Sequence, residues 1–263
     1  MFGGKDILYR ISLYLSLLVL VAVGLNLVLV LFFGSFLQVL EHVPYILLLI
    51  IPVIDATYVY GRKKAVLFLG LGFCIGLVAE IMGVLYGLPF GKYHYTLPVF
   101  KLFNIVPLDI PLYWFVITYV SFSINNSVLK LESGKDLDIK AIPLVSVLDG
   151  ICAMAWDLVM DPVMVHIVKA WTWDSGGEFF DIPLSNFVGW VFVAFLISLT
   201  YRFVSRNDEY KKTHIPAIVY FELWFAIAVI ILHSGHLEFL PLGTIVMFIF
   251  LILYVLNTFM LSV

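Results

Sequence analysis

Residues 7–33 read ILYRISLYLSLLVLVAVGLNLVLVLFF. A helix needs about 20 mostly apolar residues to cross a bilayer. This run is long enough, and it lacks the period-two alternation that marks a membrane β-strand. The pattern recurs at about 41–60, 65–85, 107–126, 142–162, 184–203, 214–233 and 239–260, which brings the expected spans to eight. The whole chain agrees, being 63% hydrophobic and 13% charged, with a mean hydropathy of +1.08. A soluble domain carries about 45–50% apolar and about 25% charged residues. A soluble globular protein and a disordered chain are therefore excluded. A signal peptide ahead of a soluble domain is not expected either, because the apolar runs continue to the end of the sequence. The expected fold class is all-α: a polytopic transmembrane helical bundle of about eight spans, one integral membrane domain over 1–263.

Two spans are strained. Pro44, Pro52 and Asp55 interrupt the second, and three aspartates fall in the run at 142–162. Asp161 precedes Pro162, which disfavours α geometry for the residue before it, so that helix is expected to end or kink there. With eight spans both termini share one side. That side holds twelve lysines and arginines, against Lys92, Lys101 and Lys169 on the other. The positive-inside rule then places both termini in the cytoplasm of a cell-membrane protein. No basic stripe exists for nucleic acid. Two outer loops, roughly 86–106 and 163–183, are rich in aromatics and glycine. That composition predicts loops folded back onto the membrane, with re-entrance open, rather than solvated linkers.

Carboxylates inside a membrane are expensive and are functional hypotheses by default. Asp157 and Asp161 lie four apart and so share a helix face; Asp149 sits two turns away. Glu80, Asp109, Asp174, Glu178 and Asp181 gather at the same outer level, with Asp55 and Glu222 deeper. Asp109, two residues before Pro111, reads as a helix cap, and Asp174, Glu178 and Asp181 read equally well as solvated loop acids. Two neighbouring carboxyls can share a proton. Such a pair serves a general acid and equally a proton relay in a transporter.

Among the histidines, no HxxxH, HxxHH or HExxH spacing occurs, which argues against a di-iron desaturase and a zincin. His233 and His236 read as an interfacial pair. His94 sits in the string LPFGKYHYT (88–96), where it could orient a substrate or an acid. Cys74 and Cys152 support neither a disulfide framework nor a thiolate metal site. No GxSxG elbow, P-loop or DDxxD-type cluster is present. Neither a metal nor another cofactor is expected. Aromatics form 16% of the chain, and at the outer level most read as an interfacial belt. The sharper reading is a pocket for a long apolar chain whose reactive end becomes cationic, since aromatic faces stabilise cations.

Four strings carry a resemblance: LPFGKYHYT (88–96), KLFNIVPLDIPLYWF (101–115), AWDLVMDPVMV (155–165) and WTWDSGGEFFDIPLSNFVGW (171–190). Together they resemble the membrane carotenoid hydratase family of the CruF type, which includes the bisanhydrobacterioruberin hydratases. The similarity runs from about Glu80 to Trp190; the outer spans match mainly in hydropathy. It implies a cofactor-independent hydro-lyase of carotenoid biosynthesis that adds water across a terminal isoprenoid double bond, giving a tertiary alcohol. Carried onto this chain, Asp157 or Asp161 is the proton donor and the other tunes it or holds the water. Glu80, His94 and Asp181 form a second catalytic tier, and Tyr93, Tyr95, Trp156 and Asn186 line the site. The implied partners are an apolar isoprenoid or carotenoid substrate and the lipid bilayer. Another polyprenyl lipid as substrate, a proton-coupled transporter and a non-catalytic pigment-binding protein remain as alternatives.

Overall fold

The computed structural model describes residues 4–207 and 209–260. Eight long helices follow one another: α1 (Gly4–Phe33), α2 (Val39–Tyr60), α3 (Arg62–Tyr86), α4 (Asp109–Val128), α5 (Ile142–Val163), α6 (Leu184–Val204), α7 (Ile215–Ser234) and α8 (Pro241–Val255). They form the expected all-α polytopic bundle. Seven are long and apolar enough to span a bilayer by length and composition. The eighth, α4, carries Asp109, Ser121, Ser123, Asn125 and Asn126 and is less apolar. It is also the most enclosed, packing against α2, α3, α5, α6, α7 and α8. A helix walled by other helices meets protein rather than lipid, so its polar side chains can find partners.

The strained spans hold. α2 runs unbroken through Pro44 and Pro52. Its Asp55 is buried but paired, accepting from Tyr119 Oη (2.6 Å) and Thr213 Oγ1 (3.0 Å). α5 does not end at Asp161, contrary to the expectation drawn from Pro162. It continues to Val163 and then widens into a π-helical turn, Met164–Val168, which Lys169 closes at φ 57°. A proline removes one backbone donor, and a wider turn is a recognised way for a helix to absorb such a defect.

The two long loops close over one end of the bundle, and they do so jointly. β1 (Tyr93–Tyr95) from the first pairs antiparallel with β4 (Trp171–Trp173) from the second, in the register Tyr93↔Trp173 and Tyr95↔Trp171. A short hairpin, β2 (Lys101–Leu102) with β3 (Val106–Pro107), leads into α4. Side chains alternate along a strand. Tyr93 and Tyr95 therefore turn toward the bundle and His94 turns away.

At the opposite end a buried ion pair ties α4, α5 and α6. Arg202 donates to Asp149 Oδ2 from Nη2 (2.7 Å) and Nε (3.1 Å), and from Nη1 to Asn126 Oδ1 (2.8 Å). Asn125 Nδ2 and Ser198 Oγ also donate to Asp149, and the guanidinium lies 4.0 Å from the Phe122 ring centroid. Arg202, counted from sequence among the interfacial cations, is thus inside the protein. Removing one partner of a buried pair strands a charge, at about 3–5 kcal/mol. Arg202→Ala should therefore lower the unfolding midpoint in detergent sharply. The paired replacement Asp149→Asn with Arg202→Met should recover part of that loss.

Candidate functional site

The site begins on α3. Its buried stripe runs Gly72, Gly76, Glu80, Gly83; the backbone of Phe115 lies against Gly72, and aromatic rings lie against Gly76 and Gly83. A Cβ at Gly76 would sit 2.5 Å from Trp114 Cδ1, and one at Gly83 would sit 2.7 Å from Tyr93 Cε1. Those two rings are donors to the glutamate between. Trp114 Nε1 donates to Glu80 Oε1 (2.8 Å), while Tyr93 Oη and Tyr95 Oη (2.5 Å) both donate to Oε2. Burial first, and the adjacent Glu80 charge second, push the Tyr93 and Tyr95 phenols well above their ordinary range. Both hydroxyls therefore keep their protons and remain donors.

α5 supplies the second element. Asp157 and Asp161 are four apart on one buried face, as the helical period requires. Asn186, near the start of α6, donates its amide to Asp157 Oδ2 (2.8 Å) and to Asp161 Oδ2 (2.6 Å). Trp171 Nε1 donates to Asp161 Oδ1 (3.2 Å). Among the described residues Asp157 Oδ1 meets no hydrogen-bond partner, and the one Asn186 amide bridges the two carboxyls. Two carboxyls bridged in this way on one helix face are placed to share a proton. Glu80 is close enough to interact electrostatically with both.

Glu80, Asp161 and Asn186 line one cavity of about 410 Å³. Asp157 lies behind Asp161, off the cavity wall. Trp114, Trp156, Trp171, Trp173 and Trp190 all line it, five of the six tryptophans in the chain. Trp114 and Trp190 have ring centroids 4.4 Å apart, Trp156 and Trp190 5.9 Å, and Tyr113 stacks on Trp156 at 6.2 Å. The walls from α1, α2 and α7 are largely aliphatic, with Val23, Leu48, Leu223 and Ile230, and His42, Tyr45 and Asp109 also face the cavity. Asp109, in the first turn of α4, accepts from Tyr45 Oη. An apolar chamber with a few convergent polar groups is what small-ligand sites look like.

Of the residues singled out from sequence, Asp157, Asp161, Glu80, Tyr93, Tyr95, Trp156 and Asn186 are brought together here. His94 and Asp181 are not. His94 is 58% exposed and meets Asp174 (3.0 Å); Asp181 is 72% exposed and lies 3.6 Å from His166 Nε2. Sequence reading missed Trp114 and Trp190 as wall residues and left Trp171 and Trp173 among outer aromatics that mostly read as an interfacial belt. All four stand in the quoted strings, so concentration of tryptophan in those strings was the signal available. Among the described residues, no group of three or more His, Cys, Asp or Glu is disposed to hold a metal ion.

A family model described as "Carotenoid biosynthesis protein" matches residues 39–251. The match extends well beyond the stretch in which the resemblance was legible, taking in α2, α7 and most of α8. No curated protein and no solved structure matches the chain. Coverage on this scale, in a bundle built to span a membrane around an apolar cavity, assigns the chain to the carotenoid biosynthesis protein family.

Proposed function

We propose that the chain hydrates the terminal isoprenoid double bond of an acyclic carotenoid. The observation that carries this reading is the Asp157–Asp161 pair, bridged by the Asn186 amide beside an indole-lined cavity. Asp161, on the cavity side, delivers the proton to the less substituted alkene carbon. The π pair forms the new C–H bond, and the tertiary carbon becomes cationic. Aromatic faces stabilise such a cation, and the carboxylate of Glu80 adds a negative charge opposite it, in a medium where charge interactions are strong. A water then forms the C–O bond, and the proton it sheds returns to the aspartate pair. The cluster ends as it began, and the sum is addition of H and OH. Tyr93, Tyr95 and Trp114 hold Glu80 in place; Asn186 and Trp171 hold the aspartates.

With twelve cations against three across the ends of the bundle, we place both termini in the cytoplasm and the loop-covered site near the outer face. Expression in hosts that accumulate lycopene or bisanhydrobacterioruberin, followed by liquid chromatography with mass spectrometry, tests the reaction. The expected result is a product heavier by one water in at least one host. A folded, membrane-inserted protein that yields no hydrated product in either host, where a characterised hydratase does, would remove the reading.

A further inference from the structure

Buried charges in proteins are paired or neutralised, and this chain shows both behaviours. At one end Asp149 has Arg202, 2.7 Å away and equally buried. At the other, Glu80, Asp157 and Asp161 are just as buried, and among the described residues no lysine or arginine lines their cavity. Lys101 is the cation in the neighbourhood, but it donates to the Tyr95 carbonyl oxygen and does not face the chamber. The aspartate pair receives the Asn186 amide and the Trp171 indole N–H. Glu80 receives three donors, and no lysine or arginine among the described residues faces it, so the acid cluster has no counter-ion of its own. The space where that counter-ion would stand is walled by indoles, the side chains whose faces hold cations best.

We infer that the cavity is a receptor for organic cations, and that an apolar chain ending in a fully alkylated ammonium is a ligand of this site. The inference rests on reading the site as one that stabilises a cation, but it needs no hydration to occur. An ammonium of this kind has no N–H to donate, so recognition falls to charge and ring faces, which is what the chamber offers. Its isoprenoid or alkyl tail runs along the aliphatic walls from α1, α2 and α7.

The test uses the full chain in nanodiscs of zwitterionic lipid and two probes, farnesyl trimethylammonium and its neutral isostere with carbon in place of nitrogen. Tryptophan emission reports binding, because five of the six indoles line the cavity. The ammonium is expected to bind at least tenfold more tightly than the isostere. That preference should shrink toward unity in Glu80→Gln and persist in Asp174→Asn, whose side chain lies outside the cavity. Equal binding of the two probes by the unaltered chain would overturn the inference, and that comparison requires no variant to fold. So would a preference that survives Glu80→Gln. A chain that prefers the ammonium but hydrates no carotenoid keeps this inference and loses the proposed reaction; one that hydrates but does not discriminate does the reverse.

Discussion

Asp161→Asn is expected to lower hydration by about 10²- to 10⁴-fold, the range general acid catalysis contributes. The substitution keeps the shape of the side chain and one of its two acceptors, so one of the bonds from Asn186 and Trp171 is given up, and it removes the group on the cavity wall that carries a transferable proton. The check is initial rate per amount of folded protein, with pigment retained by the purified variant as the measure of binding. Loss of rate with binding kept is the expected pattern, because the interaction removed operates in the transition state. Asp157→Asn acts one step back. It removes the partner that shares the proton, so the rate falls and its pH dependence changes, while the cavity wall stays intact. Full activity in Asp161→Asn would sink the assignment of the donor.

Gly76→Ala should cost about 10²-fold in rate without abolishing the fold. A methyl there would sit 2.5 Å from Trp114 Cδ1 and 2.6 Å from Cγ, closer than real contacts permit, and Trp114 is wedged by Trp190 at 4.4 Å and Phe90 at 5.9 Å. The indole must shift, and with it goes the 2.8 Å bond to Glu80. Overpacking of this kind costs about 1–3 kcal/mol of stability, while a displacement of about 1 Å in a reacting site can cost about 10²-fold in rate. The measurement is turnover beside the unfolding midpoint. Equal activity in Gly76→Ala would show that the position of Trp114 is immaterial. At Gly24, where a Cβ would meet nothing, the same change should leave turnover alone, which separates crowding from loss of a glycine as such.

The bundle was legible because a spanning helix must be long and apolar, and the runs stated their own number and approximate limits. The run at 107–126 was read as a span like the others, although the burial that makes α4 central frees it from the need to be as apolar. Of the end or kink expected at Asp161, the end comes two residues later, where α5 stops at Val163 and a π turn begins; the packing of α5 against α6 and α8 holds Asp161 itself in the helix. The aspartate pair could be read from spacing four along a helix, which fixes a common face. Asn186 and Glu80 could be named as candidates only, because what joins them to the pair is tertiary. Strand β1 was invisible at three residues, and with it the alternation that turns Tyr93 and Tyr95 inward and His94 outward. The five indoles of the cavity have no sequence period at all. They converge because two loops pair as a ribbon and three helices end beneath it, and belt and chamber look alike until that happens. Arg202 was readable in principle, as a lone arginine in an apolar run with a free intramembrane aspartate two helix turns from the acid pair.

The most direct test of the central claim is to run the reaction with purified protein in solvent labelled with deuterium and oxygen-18. Protonation by the carboxyl pair followed by capture of water predicts one deuterium fixed on the carbon next to the new tertiary alcohol, and solvent oxygen in its hydroxyl. A hydroxyl oxygen drawn from any other source, or a product with no deuterium on carbon, would contradict the account.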